Sequence, residues 1–169
     1  MYQKGDLIVY GSSGVCRVEE LGPLKGAGGV KEKREYYTLS PVFGSGVIYI
    51  PADTGVFMRP VLSKDQVDAL IDRIPDLDDR ECDISNLRAL SEQYHAAFES
   101  HQCEDLLLLI KALYQKGENA IRQGRRVGLT EVNYRKRAEE LVHGEFSVAL
   151  GIPLEEVSSY IQNRLTPHN

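Results

Sequence analysis

The positively charged side chains of this sequence concentrate in one window, residues 111–137. Eight cations stand there against two acids, Glu118 and Glu131. Lysine and arginine at this density are typical of surfaces that contact phosphate groups, but a helix dipole also attracts cations to a helix C-terminus. A phosphate-contacting patch and a solvated helix face therefore both remain open. The cations are Lys111, Lys116, Arg122, Arg125, Arg126, Arg135, Lys136 and Arg137.

Patterns that carry catalysis or metal binding are weak in this chain. The turn Gly11-Ser-Ser-Gly14 lacks the lysine and the following helix of a phosphate-binding loop, so it predicts a β-hairpin. His95, His101 and Cys103 are spaced so that they do not converge on one helical face with metal-ligand geometry. The three cysteines contain no C-x-x-C pair and are expected to be reduced thiols. We expect no catalytic residue, no metal and no cofactor.

A short β-rich segment offers a different kind of interaction. Gly46-Val-Ile-Tyr-Ile50 is rich in β-branched and aromatic residues and ends at Pro51. At the edge of a sheet, such a strand can accept a partner strand through its free backbone groups. A position in the middle of the sheet fits the same residues equally well.

Length and charge limit the classes of partner. The 169 residues carry a formal net charge of -5, which argues against a protein coated with cations for nonspecific DNA binding. No apolar run approaches the roughly 20 residues needed to cross a bilayer, so no membrane partner is expected. The N-terminus has no apolar stretch long enough for a secretory signal, which predicts a cytoplasmic protein.

The sequence predicts two kinds of structure in succession. Short β-rich runs alternate with glycine turns over the first 60 residues, as in a small antiparallel sheet or barrel of the SH3-like or Tudor-like kind. From Ser63 the apolar period becomes helical, beginning with the capping-box pattern S-K-D-Q. We therefore predict an α+β protein with domains at 1–62 and 63–169, and a possible seam at 75–82. Predicted strands are 6–10, 15–24, 34–40, 47–50 and 56–60.

Four further helices are predicted after the seam, at 84–100, 104–123, 131–150 and 154–165. Thr130 is expected to cap the third of these, while Gly124 and Gly151 are expected to close the second and third. Pro153 can open the fourth. The second is apolar on several faces and is expected to be the central helix of a small bundle.

Four segments of the β-rich half resemble the RNA-polymerase-interacting domain shared by CarD/CdnL transcription regulators and the transcription-repair coupling factor. They are Lys4-Gly-Asp-Leu-Ile-Val-Tyr10, Gly14-Val-Cys-Arg-Val18, Tyr36-Tyr-Thr-Leu39 and Val47-Ile-Tyr-Ile-Pro51. The chain lacks the coupling factor's helicase motifs, so the standalone regulator is the better match. The helical half resembles that family's second domain through Tyr94-His-Ala-Ala-Phe98, Ile110-Lys-Ala-Leu-Tyr114, Gly128-Leu-Thr-Glu131 and Arg137-Ala-Glu-Glu-Leu-Val-His-Gly-Glu-Phe146.

The resemblance implies a regulator with two contacts, and we expect it to be a monomer without enzymatic activity. The Tudor-like domain would bind the polymerase β subunit, and the helical domain would contact promoter DNA at the upstream edge of the melted region. The implied polymerase-binding residues are Leu24, Lys25, Val47, Ile48 and Tyr49. The expected DNA-binding residues are Leu90, His95, Lys111, Lys116, Arg122, Arg125 and Arg126.

One departure from the family concerns the residue four positions before Tyr94. Many members have a tryptophan there that wedges into the minor groove, whereas this chain has Leu90 and no tryptophan at all. Leucine can still act as an apolar wedge, but it lacks the ring face and the N–H donor. An adaptor that binds polymerase without touching DNA is therefore the alternative function.

Overall fold

A computed structural model of the chain describes residues 2–11, 13–23, 34–78 and 83–166. The chain divides into two compact units, Met1–Leu62 and Ser63–Asn169. The first contains a β-sheet and the second contains helices, so the predicted α+β class is confirmed. Of the predicted seam, residues 79–82 lie outside the described residues.

All five predicted strands form. They are β1 (Leu7–Tyr10), β2 (Gly14–Gly22), β3 (Tyr36–Pro41), β4 (Ile48–Pro51) and β5 (Met58–Pro60). Every pairing is antiparallel, and the order across the sheet is β4-β3-β2-β1-β5. Within the described residues β4 pairs only with β3 and β5 only with β1, so the sheet is open rather than a closed barrel.

The core of this unit lies on one face of the sheet, as the alternation of side chains requires. Val18 pairs with Leu39, which pairs in turn with Ile48, so apolar residues face the core in a row across three strands. A β-bulge after Val18 shifts the register of β2 and brings Leu21 opposite Tyr37 on the same face. The buried members of this core are Ile8, Cys16, Val18, Tyr37, Leu39 and Ile50.

The glycine-rich turn after β1 is a hairpin, as predicted. Tyr10 pairs with Gly14, and the chain continues directly into β2. Gly11 and Gly14 have φ angles of 47° and 83°, in the left-handed region that favours glycine. No helix follows this turn, so it has none of the geometry of a phosphate-binding loop.

The second unit contains five α-helices in the described residues. They are α1 (Lys64–Arg73), α2 (Leu87–Ser100), α3 (Cys103–Arg122), α4 (Leu129–Leu150) and α5 (Val157–Leu165). Short 3-10 turns at Ile74–Asp76 and Leu154–Glu156 follow α1 and precede α5. Among the described helices, none combines the length and the apolar character needed to cross a membrane.

The helix ends follow most of the predicted signals. The Ser63 hydroxyl accepts from the Gln66 N–H at 3.1 Å, while the Ser63 N–H donates to the Gln66 side chain at 2.9 Å, which completes the capping box. Gly151 closes α4 with a φ of 69°. The prediction for Thr130 is wrong, because α4 begins at Leu129 with Gly128 as N-cap and no side-chain capping bond.

Helix α3 packs against α2 and α4, but α4 packs against α1, α2, α3 and α5. The prediction that α3 is the central helix is therefore wrong, and α4 has that place. The buried residues of α4 include Val142 and Phe146, both of them fully buried. Helix α5 is joined to α1 by polar contacts. Arg164 donates to both carboxylate oxygens of Asp72 at 2.8 and 2.9 Å, and the Tyr160 hydroxyl donates to Asp68 at 2.6 Å.

Candidate functional site

The strand β4 lies at one edge of the sheet, which settles the question that the sequence left open. The Ala52 N–H donates to the Glu35 carbonyl at 2.9 Å, so Glu35 and Ala52 form a hydrogen-bonded pair. This pair determines which residues of β4 bond to β3. Because hydrogen-bonded and non-hydrogen-bonded pairs alternate in an antiparallel ladder, Ile48 and Ile50 direct their backbone groups toward β3. The N–H and C=O of Tyr49 therefore point away from the sheet.

This edge, defined here as the β4 edge (Ile48–Pro51), has no charged side chain. The surrounding residues 36–52 contain no Asp, Glu, Lys, Arg or His in a chain of which 27% is Asp, Glu, Lys or Arg. About four or five charges would be expected in such a segment. Charged residues usually protect an exposed edge from pairing with another chain, so their absence leaves the β4 edge open to a partner strand.

Side chains next to the β4 edge are also exposed and apolar. The exposed fraction is 58% for Tyr49 and 52% for Val47. In the preceding hairpin, Val42 and Phe43 are 37% and 49% exposed. Sequence reasoning missed these last two, although the long uncharged segment was a signal that could have found them. The predicted polymerase-binding residues Leu24 and Lys25 lie outside the described residues.

The lysines and arginines of residues 111–137 fall into two groups. Some bind other residues of the helical unit, and the others are exposed at its surface. Lys111 belongs to the first group. Its Nζ donates to the carbonyls of Ile74, Pro75 and Leu77 at 3.1, 3.2 and 2.8 Å. The Lys111 ammonium thus holds the segment that follows α1 against α3, and a phosphate would have to compete with three carbonyl acceptors.

Lys116 is also engaged within the unit. Its Nζ donates to the Ile84 carbonyl at 2.7 Å and lies 2.8 Å from Oε1 of Glu131. Arg135 and Arg137 have acidic neighbours on α4, Glu139 at 3.6 Å and Glu140 at 3.3 Å. The two lysines that the resemblance assigned to DNA therefore stabilise the packing of α3.

The remaining arginines meet where α3 turns into α4. Gly124, with a φ of 72°, ends α3 in a Schellman arrangement, in which the Arg125 N–H donates to the Ala120 carbonyl at 2.8 Å. Arg122, Arg125 and Arg126 are all exposed around this glycine, and we call these three residues the arginine corner. Arg125 contacts the Gln123 side chain, whereas Arg122 and Arg126 form no ion pair with residues that the structure describes.

The arginine corner has an excess of positive charge, although Glu118 lies one helical turn before Arg122 on α3. Residues 119–130 include three arginines and no acid. The next acid along the chain, Glu131, is only 14% exposed and pairs with Lys116. A positive field of this kind at an exposed turn favours a phosphate-bearing partner.

The two expected DNA-binding residues of α2 differ in their exposure. Leu90 is fully buried, so the wedge position implied by the resemblance is a core position in this structure. His95 is exposed on α2, where its ring lies edge-on to Tyr94 with centroids 5.4 Å apart. Tyr94 in turn stacks on Tyr134 of α4 at 3.8 Å, which fixes α2 against α4. The exposed leucine of α2 is Leu87, with 65% of its surface accessible.

An open sheet with an uncharged edge defines a small protein-interaction module, attached here to a helical unit. Residues 2–62 match the family model of the CarD-like/TRCF RID domain. The N-terminal unit is therefore a CarD-like RNA-polymerase-interacting domain, as the resemblance predicted. This match supports an interaction of the protein with RNA polymerase. Among curated proteins, none matches this chain.

Proposed function

We propose that this protein is a non-catalytic bacterial transcription regulator, which acts in the cytoplasm as a monomer bound to RNA polymerase. Its N-terminal unit binds the polymerase β subunit, and its helical unit contacts promoter DNA near the upstream edge of the transcription bubble. This contact modulates the stability of the open complex. The match of residues 2–62 to the polymerase-interacting domain is the observation that carries the proposal.

The β4 edge supports docking by strand addition. A partner strand would bond to the N–H and C=O of Tyr49, whereas Pro51, two residues further along, offers only its carbonyl. A typical hydrogen bond contributes about 0.5–1.5 kcal/mol net. Association costs an estimated 4–15 kcal/mol in lost freedom, so these few bonds set the register of a partner but need additional buried surface.

The arginine corner supports the contact with DNA. Three exposed guanidinium groups can bind phosphates, and Arg122 and Arg126 need not break any described ion pair to do so. The net charge of -5 makes affinity for free DNA weak. Docking on polymerase would raise the effective concentration of the corner at the promoter and compensate for this weakness.

Substitution at the arginine corner tests the DNA contact. The double variant Arg122→Gln/Arg126→Gln should reduce promoter opening by the organism's own purified polymerase while its binding to polymerase remains normal. The matched control Lys4→Gln/Lys64→Gln removes the same charge from exposed lysines elsewhere and should leave opening unchanged. If the Arg122/Arg126 variant opens promoters like the wild type, the DNA contact is wrong.

Docking at the β4 edge is tested at Tyr49. Tyr49→Pro removes the outward N–H, whereas Tyr49→Thr removes the same ring and keeps this donor. Strand addition predicts that the full-length Tyr49→Pro variant binds the β subunit more weakly than Tyr49→Thr. Equal affinities for the two variants would argue against hydrogen bonding at this edge.

An adaptor without DNA contact is the second candidate function. It is favoured by the internal use of Lys111 and Lys116 and by the burial of Leu90. These three residues were expected at the DNA interface. Normal polymerase binding together with normal promoter opening by the Arg122/Arg126 variant would support this alternative.

A further inference from the structure

The end of the sheet where its hairpins turn has an apolar surface that strand addition at β4 does not use. Its large side chains are between 37% and 52% exposed. We call this area the hairpin-end surface, and its residues are Val42, Phe43, Val47, Val56 and Phe57.

These residues share one end of the sheet although they come from three parts of the sequence. The Val42 N–H donates to the Val15 carbonyl at 3.0 Å, which places the end of β3 beside the start of β2. The Gly11 N–H donates to the Phe57 carbonyl at 2.9 Å, which places the start of β5 beside the end of β1. Val47 directly precedes β4, whose first residue pairs with β3. Five strands at about 4.8 Å spacing give this end a width of about 19 Å.

Charge distinguishes the two ends of the sheet. The described residues that form the hairpin end, 10–11, 13–16, 40–48 and 56–58, contain no charged residue. The next residues along β2 and β5 are charged, Arg17 and Arg59. The other end carries Lys4, Asp6 and Glu20, together with an ion pair of 3.1 Å between Arg34 and Asp53. The hairpin-end surface therefore lies at the end of the sheet away from these charges, and it adjoins the β4 edge at Val47.

We propose that the hairpin-end surface is a second docking area for RNA polymerase, and that it binds an apolar, uncharged patch of that enzyme. The inference rests on the proposed docking at the β4 edge and extends it across the sheet to β5. Strand addition would set the register at one edge, and the exposed aromatic rings would supply the buried area that a few backbone bonds lack. Phe43 and Phe57 are then the anchors of the contact.

A nucleic acid does not fit this surface, because it offers no lysine or arginine to phosphate groups. A lipid headgroup is disfavoured for the same reason, since interfacial segments normally place cations beside their apolar residues. Protein is the remaining class of macromolecule, and polymerase is the one that the N-terminal domain supports. A second copy of this chain is the competing protein occupant.

The test compares full-length variants in a binding titration with purified core polymerase without DNA. Phe43→Ser/Phe57→Ser should weaken binding at least ~10-fold, as expected for aromatic anchors. Leu129→Ser is the control, because it removes an even more exposed apolar side chain, 75% accessible, from the helical unit. It should bind like the wild type.

The outcomes separate this inference from the proposed function. If the Phe43/Phe57 variant binds polymerase like the wild type while Tyr49→Pro binds more weakly, the hairpin-end surface is not a docking area. Docking at the β4 edge would still hold. If all variants bind polymerase with wild-type affinity, docking at the β4 edge and docking at the hairpin-end surface are both wrong. If the wild-type chain sediments as a dimer that the Phe43/Phe57 variant loses while polymerase binding is unchanged, the occupant is a second copy and the inference is wrong.

A second variant guards against loss of the fold, since both phenylalanines are partly buried. Val47→Asp places a charge on the same surface at a residue that lies outside every strand and is 52% exposed. Its circular dichroism melt should match the wild type, while its affinity for polymerase falls. A folded Val47→Asp variant with unchanged affinity would contradict the inference independently.

Discussion

The Nζ of Lys116 lies 2.8 Å from Oε1 of Glu131, and this ion pair joins the middle of α3 to the first turn of α4. The same ammonium donates to the Ile84 carbonyl just before α2. One lysine thus connects three parts of the helical unit. It also neutralises Glu131, the first acid after the arginine corner, so it affects both stability and the local field.

Removing this ammonium should therefore destabilise the protein. Lys116→Met would leave the Glu131 carboxylate, only 14% exposed, without its partner. We expect a loss of about 1–2 kcal/mol in the free energy of unfolding, measured by chemical denaturation. Lys136→Met, at an exposed site with no described ion pair, should change stability by less than about 0.5 kcal/mol. Equal stabilities of the two variants would show that the Lys116 contacts contribute little.

The two leucines of α2 should behave differently from each other. Leu90→Ala creates a cavity in the core and should cost about 2–5 kcal/mol, because Leu90 is fully buried. Leu87→Ala at the exposed first turn should remain within about 0.5 kcal/mol of the wild type. Denaturant titration of both variants measures this difference. A stable Leu90→Ala protein would mean that the leucine is not a core residue in solution.

Salt dependence should report how many phosphates the arginine corner contacts. If Arg122 and Arg126 each neutralise one phosphate of a duplex, the slope of log K against log salt concentration should fall by about 0.9 for each arginine removed. Fluorescence anisotropy of labelled duplex DNA at low salt, with full-length protein, measures the slope. The Lys4→Gln/Lys64→Gln control should retain the wild-type slope, and a similar reduction there would indicate a diffuse charge effect.

Acidification should weaken the fold through His143. Burial lowers the pKa of His143 below its ordinary value of about 6.5, and Glu139 offsets this only in part. The unfolded chain then binds a proton at higher pH than the folded one. The stabilisation that comes from His143 is complete above about pH 6.5, the pKa of this side chain in the unfolded chain. It is lost as the pH falls toward the lower pKa of His143 in the folded protein. His143→Gln should therefore reduce the drop in melting temperature between about pH 7.5 and about pH 5.5. An unchanged drop would exclude His143 as its source.

Local signals in the sequence determined where most of the elements lie. The five strands and the helices appear within a few residues of their predicted bounds, because side-chain alternation and helical period depend on near neighbours. The Ser63 capping box and Gly124 follow from chemistry within four residues. Thr130 failed as a cap because α4 begins before it, at a boundary with no side-chain capping bond.

Tertiary structure decided which residues are available to a partner. The sequence could not tell whether the strand around Tyr49 was central or at an edge, because strand order depends on pairing between distant segments. It also grouped Lys111 with Arg126, although Lys111 meets carbonyls more than 30 residues earlier in the chain while Arg126 stays exposed. A charge acts on whatever lies within a few ångströms, and only the packing of the helices determines what that is.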